Sequence, residues 1–420
     1  MIRKIGLVLS LVAGWAASAQ QGTYSPYSFY GLGENRFKGT AEFRQTGGLS
    51  FFADSIHVNT MNPAGIANLK LTTYTAGGSA RFGAMSTETG DEKAQRTTLD
   101  YFVVGVPVSK SSAFSFGLLP INSVGYCSRK MNEVFEDVGT RREFYDGEGD
   151  VNRVYLAYGQ KLGKYFSLGA EVNYNFGEIE TSSVVGYSAL QYGVQELNTN
   201  SITGFGYNLG AQFEMPFKNK YRIMAGVSYQ PEFNLKSANT RVFNTVSIYG
   251  EGLYSVVDQR NMLMEDTDLT IANKLKLGAG LSRLNQWMVG AEVTLTDSES
   301  QSNRFSGPSN ATFEQGVRYN VGGYFIPKYN SYSSYFDRIT YRAGFAYEKT
   351  GLVMSGKSIT DATGYLGFGL PIGANVSNIN IGFEYGKKGT ISHGLVQDNY
   401  FGINIGASLN DRWFVKRKYD

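Results

Sequence analysis

The feature that most constrains this chain is an alternation of apolar with polar or glycine residues at period two, in segments of about ten to fifteen residues from Leu69 onward. In Phe205, Tyr207, Leu209, Ala211 and Phe213 every odd position is apolar, while Gly206, Asn208, Gly210, Gln212 and Glu214 take the even ones. The stretches 339–347, 379–385 and 401–409 repeat the pattern. Successive side chains of a strand point to opposite faces, so each segment reads as a strand with one greasy and one wet face.

The identity of the wet face narrows the architecture. It carries Gly, Asn, Gln and Ser with single charges: Glu171, Glu214, Glu292, Glu348 and Glu384 beside Arg153, Arg222, Lys274, Lys276, Arg318 and Arg342. A water-filled or plugged lumen accepts such residues, as does the solvent face of a soluble sheet, but a sandwich needs two apolar faces turned toward each other. The chain is rich in glycine (51) and in Tyr (29) and Phe (27), and no apolar run after the first twenty residues is long enough to cross a bilayer as a helix. A polytopic helical membrane protein is thereby excluded. At 420 residues two or three domains would be expected, yet no linker breaks the pattern after about position 70.

Connections sharpen the count. Short turns are expected at 109–112, 161–164, 218–220, 283–286, 328–336 and 373–377. Longer polar connections are expected at 83–96, 126–150, 179–201, about 236–270, 297–311, 349–362 and 387–397. Short and long alternate, which is the pattern of an up-and-down barrel with turns on one side and loops on the other. The chain is therefore expected to be all-β, a 14-stranded antiparallel transmembrane β-barrel over residues 69–409.

Arg3 and Lys4 precede the apolar stretch from Ile5 to Trp15, and Ala17-Ser18-Ala19 supplies small residues for cleavage, so residues 1–19 read as a signal peptide. The lone Cys127 offers neither a disulfide framework nor a lipid anchor near that site. The formal charge of +3 falls to +1 with the signal, and the one basic run, Lys416-Arg417-Lys418, lies in the tail 410–420. Nucleic acid is not an expected partner. Residues 20–68 do not alternate, and they carry the breaker signals Tyr24-Ser25-Pro26-Tyr27, Gly31-Leu32-Gly33 and Gly47-Gly48. Left in water, Phe29, Phe37, Phe43, Phe51 and Phe52 would each cost about 1.5–3 kcal/mol. We expect this segment to fold inside the lumen as an N-terminal hatch.

Gly47-Gly48, Ala53-Asp54-Ser55 and Asn62-Pro63-Ala64-Gly65, followed by the first strand, resemble the N-terminal hatch of the FadL-type outer-membrane transporters of long-chain fatty acids and other hydrophobic compounds. The resemblance covers the mature chain in length and layout. It implies a fourteen-strand barrel in the cell outer membrane, with Asn62, Pro63 and Ala64 as the hatch turn. The chain departs from such barrels in ending on Asn410 to Asp420, with no terminal strand aromatic. Some relatives, the PorV-like shuttle proteins, hold protein partners.

Few residues could carry chemistry. Only His57 and His393 are present, and neither sits in a catalytic pattern, so no enzyme activity is expected. Asp146-Gly147-Glu148-Gly149-Asp150 spaces three acids two apart but lacks the rest of a calcium pattern and reads as a solvated loop. Met131, Val134, Phe135 and Val138 fall at helical spacing and predict a short loop helix with an apolar stripe. The resemblance makes that stripe a ligand-binding groove; packing on neighbouring loops is equally open. Pro120 in the third strand predicts a bulge. By the same resemblance, Pro120, Ile121 and Asn122 form a lateral gate, the alternative being a tolerated strand-end proline. The expected function is passive uptake of small hydrophobic compounds with lateral release into outer-membrane lipid, without cofactor or metal. The alternative is a non-transporting platform for a secretion or assembly partner. Either barrel would depend on the barrel assembly machinery for insertion.

Overall fold

The computed structural model describes residues 22–135, 137–218, 220–249, 253–301, 311–372 and 377–413. The expected signal peptide and Lys416 to Lys418 fall outside these residues. One antiparallel sheet closes on itself as a barrel of fourteen strands. The first six are β1 (Thr72–Ser86), β2 (Asp91–Pro107), β3 (Ser112–Phe135), β4 (Gly139–Leu162), β5 (Phe166–Tyr187) and β6 (Tyr192–Phe217). Next, β7 runs in two pieces, Tyr221–Gln230 and Phe233–Ile248, and β8 in three, Tyr254–Met262, Thr267–Ile271 and Lys274–Arg283. After them come β9 (Trp287–Thr296), β10 (Ala311–Phe313 and Gly316–Phe325), β11 (Thr340–Met354), β12 (Lys357–Ile372), β13 (Ser377–Gly389) and β14 (Gln397–Asp411). Closure is made by β14 on β1, with Ile405 opposite Gly78 and Leu409 opposite Tyr74.

The alternation sets the two faces. On β6, Phe205, Tyr207 and Leu209 face outward, between 48% and 69% exposed, while Asn208 and Gln212 face inward, below 9%. A barrel turns its apolar row to lipid, so these exposed aromatics are the membrane band. Among the described residues no helix is long and apolar enough to cross a membrane.

The long connections depart from expectation. Residues 126–135 and 139–150 are strand, with a turn at 137–138, so Met131, Val134 and Phe135 lie on β3 and not on a helix. The reason is the facing strand: Lys130↔Glu143 and, past an irregularity, Glu133↔Arg141 to Phe135↔Gly139 carry the ladder upward, so the backbone finds its partners across the hairpin. The stretches 179–201 and 236–262 are likewise strand for most of their length. Asp146, Glu148 and Asp150 accordingly sit on β4, not in a loop. The last strand also runs to Asp411, past the expected boundary at 409.

These extensions make the wall uneven. About ten tilted residues suffice to cross a bilayer, which is the length of β9. By contrast β3 and β4 have 24 residues each and β6 has 26. The surplus forms a crown of hairpins with a small core of its own, built from Phe144, Val184 and Val246 with Ile248 and Tyr254 against it.

Candidate functional site

Residues 22–71 run through the barrel interior, and their side chains decide how. Three short helical turns, Pro26–Phe29, α1 (Ala41–Arg44) and Pro63–Asn68, are linked by irregular chain. Phe43, Leu49, Phe51, Phe52 and Met61 form an apolar cluster with Met224 and Met288 of the wall. Phe51 is 1% exposed.

Backbone polar groups of this segment are satisfied by asparagines. The Asn62 carbonyl accepts from the Ala64 N–H at 3.1 Å and starts the last helical turn, while its amide donates to the Val227 carbonyl of β7 at 3.1 Å. Asn59 does the same within the segment, accepting from the N–H groups of Met61 and Asn62 and donating to the carbonyls of Ser50 and Phe52. The Asn62-Pro63-Ala64 stretch is thus a capped turn seated on the wall. Part of the contact with the wall is backbone to backbone. A Cβ on Gly169 would lie 2.2 Å from the Pro63 carbonyl carbon, and one on Gly344 2.3 Å from the Gly47 nitrogen.

Such glycines recur on every strand from β4 to β14, and many are in register. Gly159 pairs Gly169, which pairs Gly210. Gly280 pairs Gly290, which pairs Gly322, which pairs Gly344. Further round, Gly367 pairs Gly382. A strand glycine marks a place where another backbone approaches closely, and here they form a belt at the level of the lumenal segment. The ring of Phe51 fills the hollow left by Gly278, Gly280 and Gly290. Gly47 and Gly48 turn with positive φ, which lets the chain leave α1 flat against β10 and β11.

Charges reinforce the belt. Asp100 of β2 receives Arg36 at 2.8 Å and Arg44 at 2.9 Å, and Arg44 reaches Glu384 of β13 at 3.3 Å. Glu384 also holds Arg81 of β1 at 3.1 Å, and Glu34 holds Lys388 of β13 at 2.7 Å. These ion pairs join lumenal segment and wall at every step but Glu384–Arg81, which joins two wall strands, and each side chain is at most 14% exposed. Buried ions that lose a partner are costly, so the network fixes position. Burial works against the Glu34 carboxylate, but Lys388, Arg81 and Arg96 hold it far below the usual range. Near the turn end, His57 Nδ1 lies 2.5 Å from Asp54. Burial disfavours the charged ring, yet Asp54 and then Glu42 raise its pKa above the ordinary value.

The expected gate has an unusual geometry. β2 and β3 pair only as far as Phe102↔Leu118. There β3 bulges between Pro120 and Asn122, as the proline predicts, and beyond it the strand edge pairs with Glu34–Asn35 of the lumenal segment. The Arg36 N–H donates to the Ile121 carbonyl at 2.9 Å. The wall therefore parts between β2 and β3, and the lumenal segment fills the base of the parting. Ile121 is 1% exposed and belongs to the largest apolar cluster, and Asn122 is also buried. The other expected residues lie apart from these: Val134 and Phe135 are exposed at the crown, Phe135 ring edge against Tyr187, and Val138 is half-buried in the hairpin turn. Sequence reasoning missed the glycine belt. Its signal was present, since glycine recurs on the wet face of strand after strand.

Above the belt lies a chamber of about 240 Å³ whose lining mixes charged side chains, among them Lys38, Arg153, Lys274, Lys276 and Arg318, with apolar ones such as Phe37, Met61 and Leu352. Among the described residues no group of three or more metal-type ligands comes together.

Barrel, belt and lumenal segment define the class: the fold is that of the FadL-type barrels. The toluene transporter TbuX of Ralstonia pickettii matches with a TM-score of 0.58 at 15% identity, over 90% of this chain and 99% of that one. A Pseudomonas aeruginosa FadL homologue matches at 0.56 and 14%, over 90% and 98%, and the P. putida toluene transporter TodX at 0.54 and 12%, over 90% and 100%. No curated protein sequence matches the chain. The model of the BamG family matches residues 1–420, and the chain belongs to that family.

Proposed function

We propose that this protein is a sealed outer-membrane barrel that serves as a platform for a protein partner in outer-membrane barrel assembly. The observation that carries the reading is the glycine belt. A mobile hatch needs room to slide, whereas here the hollows of the wall glycines are filled closely by lumenal backbone and by Phe51 and Gln45, and buried ion pairs tie the segment down. A sealed barrel presents its crown and its membrane face, both suited to docking. The family name points the same way, toward barrel assembly. The test is native mass spectrometry after gentle extraction from outer membranes, paired with depletion of the protein. Co-extraction with the assembly machinery, and a fall in other folded barrels on depletion, is the expected result. A bare chain carrying a hydrophobic adduct, with other barrels unchanged, overturns it.

A second reading is favoured by one observation, the parting of β2 from β3 beyond Leu118. In it the barrel takes up small hydrophobic compounds; TbuX and TodX, which share the fold, are toluene transporters. Ligand would gather at Met131, Val134, Phe135 and Val138, pass Asn62, Pro63 and Ala64, and leave by Pro120, Ile121 and Asn122 into lipid. The cations Lys38, Arg153, Lys274 and Lys276 gathered in the chamber argue against it, since an apolar ligand gains nothing from leaving water for ions. Unchanged uptake of a labelled fatty acid by Phe135→Asp cells removes this reading.

A further inference from the structure

The chamber above the belt holds more positive charge than its carboxylates neutralise. Lys276, Thr294, Arg318 and Glu348 stand side by side on β8, β9, β10 and β11. Glu348 is committed to Arg318 at 2.9 Å. Glu292 accepts through Oε2 from the Ser50 N–H at 2.6 Å and from its hydroxyl at 2.7 Å, while its buried Oε1 has no hydrogen-bond partner and its charge acts on Lys276 from a distance. The ammonium groups of Lys274 and Lys276 make no side-chain hydrogen bond or ion pair among the described residues.

Across the chamber, Arg153 donates through Nε to Asn175 and lies 3.6 Å from Glu171 through Nη1, while its buried Nη2 has no partner. Arg153 is 4% exposed. From below, Lys38 reaches only Gln230, at 3.4 Å, and Gln230 sits directly opposite Lys274 on the neighbouring strand. Burial, followed by the charges of Arg153, Lys274 and Lys276, pushes the Lys38 ammonium well below its ordinary pKa.

We infer that Lys38, Arg153, Lys274 and Lys276 form an anion site in the lumen that binds a phosphate group. Like charges gathered out of bulk water repel, and an anion between them converts that repulsion into charge-assisted hydrogen bonds. Donors converge from the lumenal segment, from β4 and from β8. A tetrahedral dianion with oxygens on all sides can accept from all three, whereas a carboxylate presents a single edge. The donors are charged, so the group they hold is a hydrophilic one, either free or on a lipid headgroup. This site does not depend on whether the barrel transports or docks a partner.

The test uses the mature chain folded in detergent micelles, titrated with inorganic phosphate by calorimetry. One saturable site is expected, weakened at least tenfold in K274Q/K276Q and in R153Q and largely kept in K276R. Heat-modifiable migration on gels reports folding. If K274Q/K276Q does not fold, K38Q tests the same site from the lumenal segment, with the same tenfold loss expected. Phosphorus carried by the purified protein distinguishes sources: extraction into organic solvent marks a lipid headgroup, and release into water marks free phosphate. Absence of saturable binding, or equal binding by folded variants and wild type, overturns the proposal and leaves only diffuse counter-ions in the chamber.

Discussion

The belt and the crown are made from the same strands, yet they solve opposite problems. At the level of the belt the inward positions are glycine, so the wall has no side chains of its own there and the lumenal segment supplies them, Phe51 and Pro63 above all. In the crown the inward positions are Phe144, Val184 and Val246, so the hairpins pack on one another. Polar groups follow suit. Gln195 accepts from Asn244 at 2.9 Å and donates to Ser182 and to the Tyr254 hydroxyl, all within the crown, whereas Arg44 ties the lumenal segment to two separate strands. One period-two pattern therefore builds either a socket or a freestanding ribbon, according to the size of the inward side chain.

Four changes would break or sharpen this contrast. Arg44→Ala removes the cation shared by Asp100 and Glu384. Leaving two buried carboxylates short of a partner should cost about 3–5 kcal/mol, measured by urea unfolding and by lower gel-shift temperatures. Gly344→Val drives a side chain into the backbone of Gly47. Overpacking of roughly 1–3 kcal/mol is expected, and in planar bilayers the variant should conduct where the wild type is closed. A closed variant would mean that the belt does not hold the seal. Val184→Ala deletes two methyl groups from the crown core, about 1.5 kcal/mol. Hydrogen exchange should quicken in the hairpins of β4 to β8 with bilayer conductance unchanged.

The smallest effect is a pH dependence. Because the His57 pKa is raised in the folded protein, its stabilisation is complete below the usual histidine value, near pH 6.5, and is lost as pH rises through the folded pKa. Asp54, whose pKa burial raises but His57 lowers further, loses its share only as pH falls through the acid range. Thermal stability of the wild type should therefore drop as pH rises above about 6.5, and His57→Gln should flatten that slope. An unchanged slope would separate the Asp54–His57 pair from the docking of the lumenal segment.

Much of the barrel was legible because lipid on one side and a polar interior on the other write a period of two into every strand. Phe205 to Glu214 announces its own orientation. Pro120 announced a bulge because it lacks an N–H, whatever surrounds it. The apolar residues at 131–138 misled for a related reason: a short run spaced at three and four also fits a hairpin arm, and only the facing strand 139–150 decides between them. Lys274 and Lys276 read as ordinary lumenal charges, since nothing local records which carboxylates are already taken.

By itself the sequence determined the strand count, the face each side chain takes and the division between alternating wall and irregular N-terminal segment, all of which depend on neighbours a few residues away. Tertiary structure alone decided that the inward glycines align into a belt, that β3 leaves β2 for Glu34–Asn35, and that Arg36, Arg44, Arg81 and Lys388 join one network. Those outcomes depend on register around a closed sheet and on partners separated by tens to hundreds of positions. No local pattern encodes which backbone will meet which.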